Sequence, residues 1–210
     1  KRGHSIFGFN MSGHNTTSKT PLGQTTLDNN VMEAETFYSY LDPKLKKKII
    51  AYSLGATPAL KTLGMHLDQV DRVVLFGPGI YSVNAYNKHF GEEFRTTVSA
   101  PFSYRENDIV PILQSYKGKL LLIKGEYDGL DPVAYGKPIG TSAGKVEINE
   151  RFYYSPIPKE VIDMIYNAVP KNNCEMVVLP DCDHGVVPWI RDHPAEGTLV
   201  LDKISLFLND

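Results

Sequence analysis

Lys46-Lys-Lys-Ile-Ile-Ala-Tyr-Ser-Leu-Gly-Ala-Thr-Pro-Ala-Leu-Lys-Thr-Leu-Gly64 is the stretch on which the fold turns. The apolar pair Ile49 and Ile50 gives way to a helical spacing of Ala59, Leu60 and Leu63, so the segment reads as strand, tight bend and helix. Ala51 and Gly55, two residues either side of Ser53, are small, as expected where a bend brings the two arms of the chain close together. Such a bend pushes the Ser53 hydroxyl out at the end of the strand. It also sets the backbone N–H of Leu54 at a helix N-terminus, where it can meet a developing oxyanion. Ser53 equally suits a plain helix N-cap, because serine is a favoured cap and Pro58 falls in the first turn.

Partners for Ser53 lie downstream. Lys119 to Pro132 is an unbroken apolar run ending in a turn rich in acids, with Asp128 just past the strand and Glu126 and Asp131 beside it. Glu175 to Gly185 is a second such run, with His184 in the loop beyond its end. Continuous apolar runs suit parallel strands covered on both faces, and open α/β sheets place their sites at the C-terminal ends of such strands.

With Ser53, Asp128 and His184 in that order, the chain resembles the α/β-hydrolase superfamily of serine esterases, lipases, thioesterases and peptidases. Asn10-Met-Ser-Gly-His-Asn-Thr-Thr-Ser18 is similar to the family's loop after its fourth strand, and Gln24 to Leu41 to the helix that leads to the elbow. Arg72 to Gly79 resembles the sixth strand, Gly125-Glu-Tyr-Asp128 the acid turn, and Pro180-Asp-Cys-Asp-His184 the histidine loop. The resemblance implies Ser53 as nucleophile, His184 as base and Asp128 as the orienting acid. Asp128 is preferred to Asp131 and Glu126 because the family's acid stands three residues after the turn glycine, here Gly125. It further implies a serine hydrolase that cleaves a small-molecule carboxylic ester or thioester through an acyl-enzyme, with no cofactor and no metal. Acyltransferases and peptidases use the same triad. A ligand-binding or receptor protein on a hydrolase scaffold is the alternative from another class.

The chain also departs from the family. Residues 1–52 hold one strand and one helix where the family places four strands ahead of the elbow strand, and no His-Gly segment supplies the second oxyanion N–H. The favoured expectation is that residues precede Lys1 in the native protein, with Ser5 to Asn10 as the fourth strand; no methionine opens the chain. In the competing arrangement Ser5 to Asn10 takes the third position, pairs with Lys48 to Tyr52, and Met11 to Gly13 donate the missing N–H.

The remaining elements are expected at 25–41 (helix), 48–52 (strand), 55–64 (helix), 72–77 and 119–124 (strands), 158–168 (helix), 174–179 (strand) and 196–208 (helix). This alternation makes an α/β fold, a mostly parallel sheet with helices on both faces, in one domain over residues 1–210. Residues 80–117 are expected as a small aromatic-rich lid within it, and Tyr52, Tyr81 and Phe102 as candidates for a substrate pocket. After the acid, Gly136, Gly140 and Gly144 precede Val146 to Tyr154, whose partial alternation suggests a short hairpin.

Composition suits a globular domain: of 210 residues 42% are hydrophobic and 22% charged, with 22 basic against 24 acidic side chains and a net charge of −2. That balance gives no electrostatic case for nucleic acid, and the dense basic run Lys44 to Lys48 reads as a solvated lead-in to a strand. No apolar stretch approaches the roughly 20 residues that span a bilayer. Cys174 and Cys182 bracket an extended segment of about 26 Å, well beyond the roughly 7 Å between Cα atoms that a disulfide tolerates. Two free thiols suit a reducing, cytoplasmic compartment. Asn10-Met-Ser and Asn15-Thr-Thr match the glycosylation sequon and are read as accidental.

Overall fold

The computed structural model describes residues 6–14, 18–130 and 144–209 of the chain. Asp131, Gly136, Gly140 and the Asn15 sequon lie outside the described residues.

Four parallel strands form the central sheet: β1 (Lys47–Tyr52), β2 (Val70–Phe76), β3 (Lys119–Gly125) and a C-terminal strand, Cys174–Leu179, adjacent in that order. The hydrophobic pattern explains why these runs are strands buried on both faces. Val73, Leu75, Leu120 and Leu122 point into one core, and Val74, Phe76, Leu121 and Ile123 into the other. Burial of each such side chain stabilises by about 1.5–3 kcal/mol.

The first core is closed by α1 (Leu27–Ser39), α2 (Ala56–Met65), a helix over Ile109–Ser115 and one over Lys159–Ala168. The second is closed by two C-terminal helices, Val186–Asp192 and Pro194–Asn209, which contribute Trp189, Val200, Ile204 and Phe207. α1 begins at a capping box, in which Thr26 and Asn29 satisfy each other's backbone N–H. Among the described residues, no helix is long and apolar enough to cross a membrane.

Several expectations need correction. Residues 6–10 form no strand, so the segment serves as neither the fourth nor the third strand, and among the described residues β1 pairs with β2 alone. Accordingly Ile50 is 47% and Tyr52 38% exposed. The basic run is not wholly solvated. Lys47 is buried, its ammonium 5.5 Å from the Tyr38 ring centre and 3.4 Å from Gln69 Oε1. Its aliphatic stem is long enough to cover apolar surface while the head finds polar partners.

The segment 80–117 divides in two. Tyr81, Tyr86, Phe90 and Phe94 gather with Leu27, Ala85 and Val98 in a satellite cluster that Leu54 packs against. It is tied to the start of α1 by Phe90 N–H on Thr25 O (2.9 Å) and Asp28 N–H on Tyr86 O (3.0 Å). Ile109, Leu113 and Tyr116 instead belong to the main core and are fully buried, so this last part is body and not lid. The expected hairpin is present: β4 (Lys145–Ile148) pairs antiparallel with β5 (Arg151–Tyr154). Its turn residues Asn149 and Glu150 both have positive φ, 50° and 64°, as a two-residue turn between twisted strands requires.

Candidate active site

The bend after β1 holds Ser53 at φ 52°, a left-handed conformation that a non-glycine residue adopts only when its surroundings impose it. Tyr52 before it is extended, and a 3-10 turn over Ser53–Gly55 leads straight into α2. Ser53 is therefore not the N-cap of that helix; Gly55 is. The turn is braced from the end of β2, where Gly79 N–H donates to Ser53 O (3.0 Å) and Thr57 Oγ1 donates to Gly79 O (3.0 Å). Gly55 is not small because of crowding, since a Cβ there would meet nothing nearer than Met11 Cε at 3.8 Å.

Ser53 Oγ lies 2.7 Å from His184 Nε2, and His184 Nδ1 lies 2.8 Å from Asp128 Oδ2. With a carboxylate facing Nδ1, that nitrogen carries the proton and donates it. Nε2 is then the acceptor for the serine hydroxyl. Asp128 is fully buried and His184 5% exposed. The crowding expected at the elbow is found instead around this pair. A Cβ on Gly77, itself at φ +45°, would stand 3.1 Å from both Asp128 Oδ2 and His184 Nδ1. One on Gly125 would stand 2.1 Å from Asp183 O, so the strand's last residue must lack a side chain for the histidine loop to settle against it.

The acid turn is fastened by Lys124, whose ammonium donates to Gly125 O (2.9 Å) and Asp128 O (2.6 Å). Desolvation lowers its pKa, opposed by the charge of Asp128. Glu126 accepts from Asp181 N–H at 3.0 Å, while the partner of His184 Nδ1 is Asp128.

The histidine loop is held from two sides. Tyr52 hydroxyl donates to His184 O (3.0 Å), and His184 N–H donates to Tyr154 O (2.8 Å) at the end of β5. The Asp183 carboxylate accepts from Tyr154 N–H (2.9 Å) and Gly185 N–H (2.7 Å). The hairpin is thus bonded directly to the residue before the imidazole.

A cavity of about 320 Å³ opens over Ser53 and His184, lined by Tyr52, Tyr81, Tyr154, Pro156 and Ile157. Phe102 is not among its walls: it is 44% exposed, with the Arg105 guanidinium 4.2 Å from its ring centre. Ser12 and Gly13 offer little to an oxyanion, because Ser12 N–H is taken by Glu33 Oε2 (2.9 Å) and Gly13 N–H by Ser18 Oγ (2.9 Å). Leu54 N–H remains among the leading amides of the elbow turn, which lack intrahelical acceptors. The sequence alone assigns no role to Lys124, Asp183, Tyr154, Pro156 or Ile157, although Lys124 lies in the run before the acid turn, Asp183 in the histidine loop and Tyr154 at the end of the hairpin pattern.

No family model matches the chain, and no curated protein does. Solved structures do. A meta-cleavage product hydrolase from Pseudomonas fluorescens superposes with TM-score 0.57 at 13% identity, covering 95% of this chain and 78% of that one. A thermophilic esterase from Thermogutta terrifontis gives 0.55 at 14% identity over 92% and 76%. A serine hydrolase involved in carbazole degradation gives 0.54 at 16% identity over 93% and 77%. Parallel strand order, the left-handed bend at Ser53 and these likenesses together give the chain the α/β-hydrolase fold.

Proposed function

We propose that the chain is a serine hydrolase that cleaves a carboxylic ester or thioester of a small acyl group through an acyl-enzyme. The observation that carries this reading is the relay from Ser53 Oγ through His184 to a buried Asp128, at 2.7 and 2.8 Å, on a serine in a strained turn. A serine hydroxyl is a poor nucleophile near neutral pH until a base removes its proton. In this reading His184 Nε2 takes that proton as Oγ bonds to the substrate carbonyl carbon. Asp128 stabilises the imidazolium, and Leu54 N–H donates to the oxyanion. Collapse of the tetrahedral intermediate breaks the bond to the leaving group, which receives the proton from His184. A water deprotonated by the same imidazole then attacks the acyl carbon, releases the acid and returns the proton to Ser53. A fluorophosphonate probe tests the reading. It should label Ser53 alone among the serines, and Ser53→Ala should abolish labelling while leaving the fold intact. A folded chain that takes no label, or takes it on another serine, refutes it.

A further inference from the structure

Three tyrosines line the cavity, and their hydroxyls differ in what they touch. That of Tyr52 is committed to the His184 carbonyl. Those of Tyr81 and Tyr154 make no hydrogen bond to another described residue. Tyr154 is 48% exposed, so water can serve it. Tyr81 is 9% exposed, and its ring is fixed against Phe94 at a centroid distance of 5.5 Å.

Its hydroxyl reaches the turn after β2, where a Cβ built on Gly79 would lie 2.7 Å from it and 3.4 Å from Ile157 Cδ1. Tyr81 and Ile157 are both cavity walls, so the hydroxyl sits on the cavity side of the core. The ring is buried but the hydroxyl oxygen itself is not fully so, and a phenol with no protein acceptor keeps its donor for whatever occupies the cavity that Tyr81 lines. Desolvation holds the phenol above the ordinary tyrosine range, so it stays protonated and can donate.

The other walls set the shape of an occupant. The His184 ring faces Tyr52 at 5.6 Å and an interplanar angle of 24°, Tyr154 meets it edge-on at 81°, and Pro156 and Ile157 are apolar. At about 320 Å³ the space is near the small end of ligand clefts. We infer that Tyr81 is a specificity-determining residue: its hydroxyl donates to a carbonyl oxygen on a small planar, aromatic or conjugated group held in this cavity. The inference rests on the cavity being the substrate site of the proposed hydrolase.

Equilibrium binding tests it without turnover, using acetophenone and α-methylstyrene, which share a shape but differ by the carbonyl oxygen. Followed by chemical-shift titration, wild type should bind acetophenone about fivefold more tightly. Tyr81→Phe should erase that preference while leaving α-methylstyrene affinity unchanged. No protein partner of the hydroxyl is lost among the described residues, so Tyr81→Phe should fold as wild type does. Equal affinities in wild type, no binding of either ligand, or a preference that survives Tyr81→Phe each overturn the inference. If the variant fails to fold, the wild-type pair alone decides. A chain that shows the preference yet takes no fluorophosphonate label loses the hydrolase reading and keeps the carbonyl site. A labelled chain with no preference loses only the carbonyl site.

Discussion

At the scale of single residues, the roles of Asp128 and Glu126 can be separated by experiment. Asp128 Oδ2 meets His184 Nδ1, whereas Glu126 serves the backbone of Asp181. Asp128→Asn keeps the shape but offers an amide N–H where an acceptor is needed, which favours the wrong imidazole tautomer. The expected loss in kcat is up to about 10⁴, against less than about threefold for Glu126→Gln, measured by steady-state kinetics on an activated ester. Equal effects would contradict the assignment. Ser53, Asp128 and His184 were legible in the sequence because each sits at the end of a recognisable apolar run. Why Gly77 and Gly125 must lack a side chain was not, since what crowds them is the approach of Asp128, His184 and Asp183 from distant parts of the chain.

At the scale of elements, the hairpin is the addition that most affects the site. Its existence was readable from alternation in Val146 to Tyr154, but its docking was not, because Tyr154 and Asp183 lie far apart in sequence. Asp183 accepts two backbone N–H groups, one from the hairpin and one from the residue after the imidazole. Asp183→Ala leaves both donors without that partner, at a cost of about 1–3 kcal/mol in stability. By loosening the loop that aims His184 it should also lower kcat about 10- to 100-fold, since displacements near 1 Å are costly at a reacting centre. Thermal unfolding and kinetics together check this, and unchanged values in both would show that the hairpin is a bystander. The expected strand at 5–10 failed for a complementary reason. A short apolar run becomes a strand only beside a partner ladder, and residues 6–10 have none among the described residues.

At the scale of the whole molecule, the parallel sheet and its two covered faces were legible because Lys119 to Gly125 and Cys174 to Leu179 are apolar on both sides. Burial of so many phenols and thiols has a consequence for alkaline stability. Desolvation raises Cys174 to about 11 and Cys182 to about 12, and it also raises Tyr81, Tyr86 and Tyr116. In the unfolded chain these groups ionise near about 8.5 for Cys and about 10 for Tyr. Between the unfolded and folded values the native state binds more protons, so stability present below about pH 8.5 falls as pH rises through about 9 to 12. Urea unfolding at stepped pH should show that decline, and a flat profile to pH 11 would contradict it. The central claim is that this assembly turns over substrate through Ser53, and the most direct measurement is peptide mapping by mass spectrometry after acid-quenching a reaction with a p-nitrophenyl ester. The acyl group should be found on the peptide carrying Ser53 and vanish in Ser53→Ala; an acyl group on another residue, or turnover that persists in Ser53→Ala, would contradict the account.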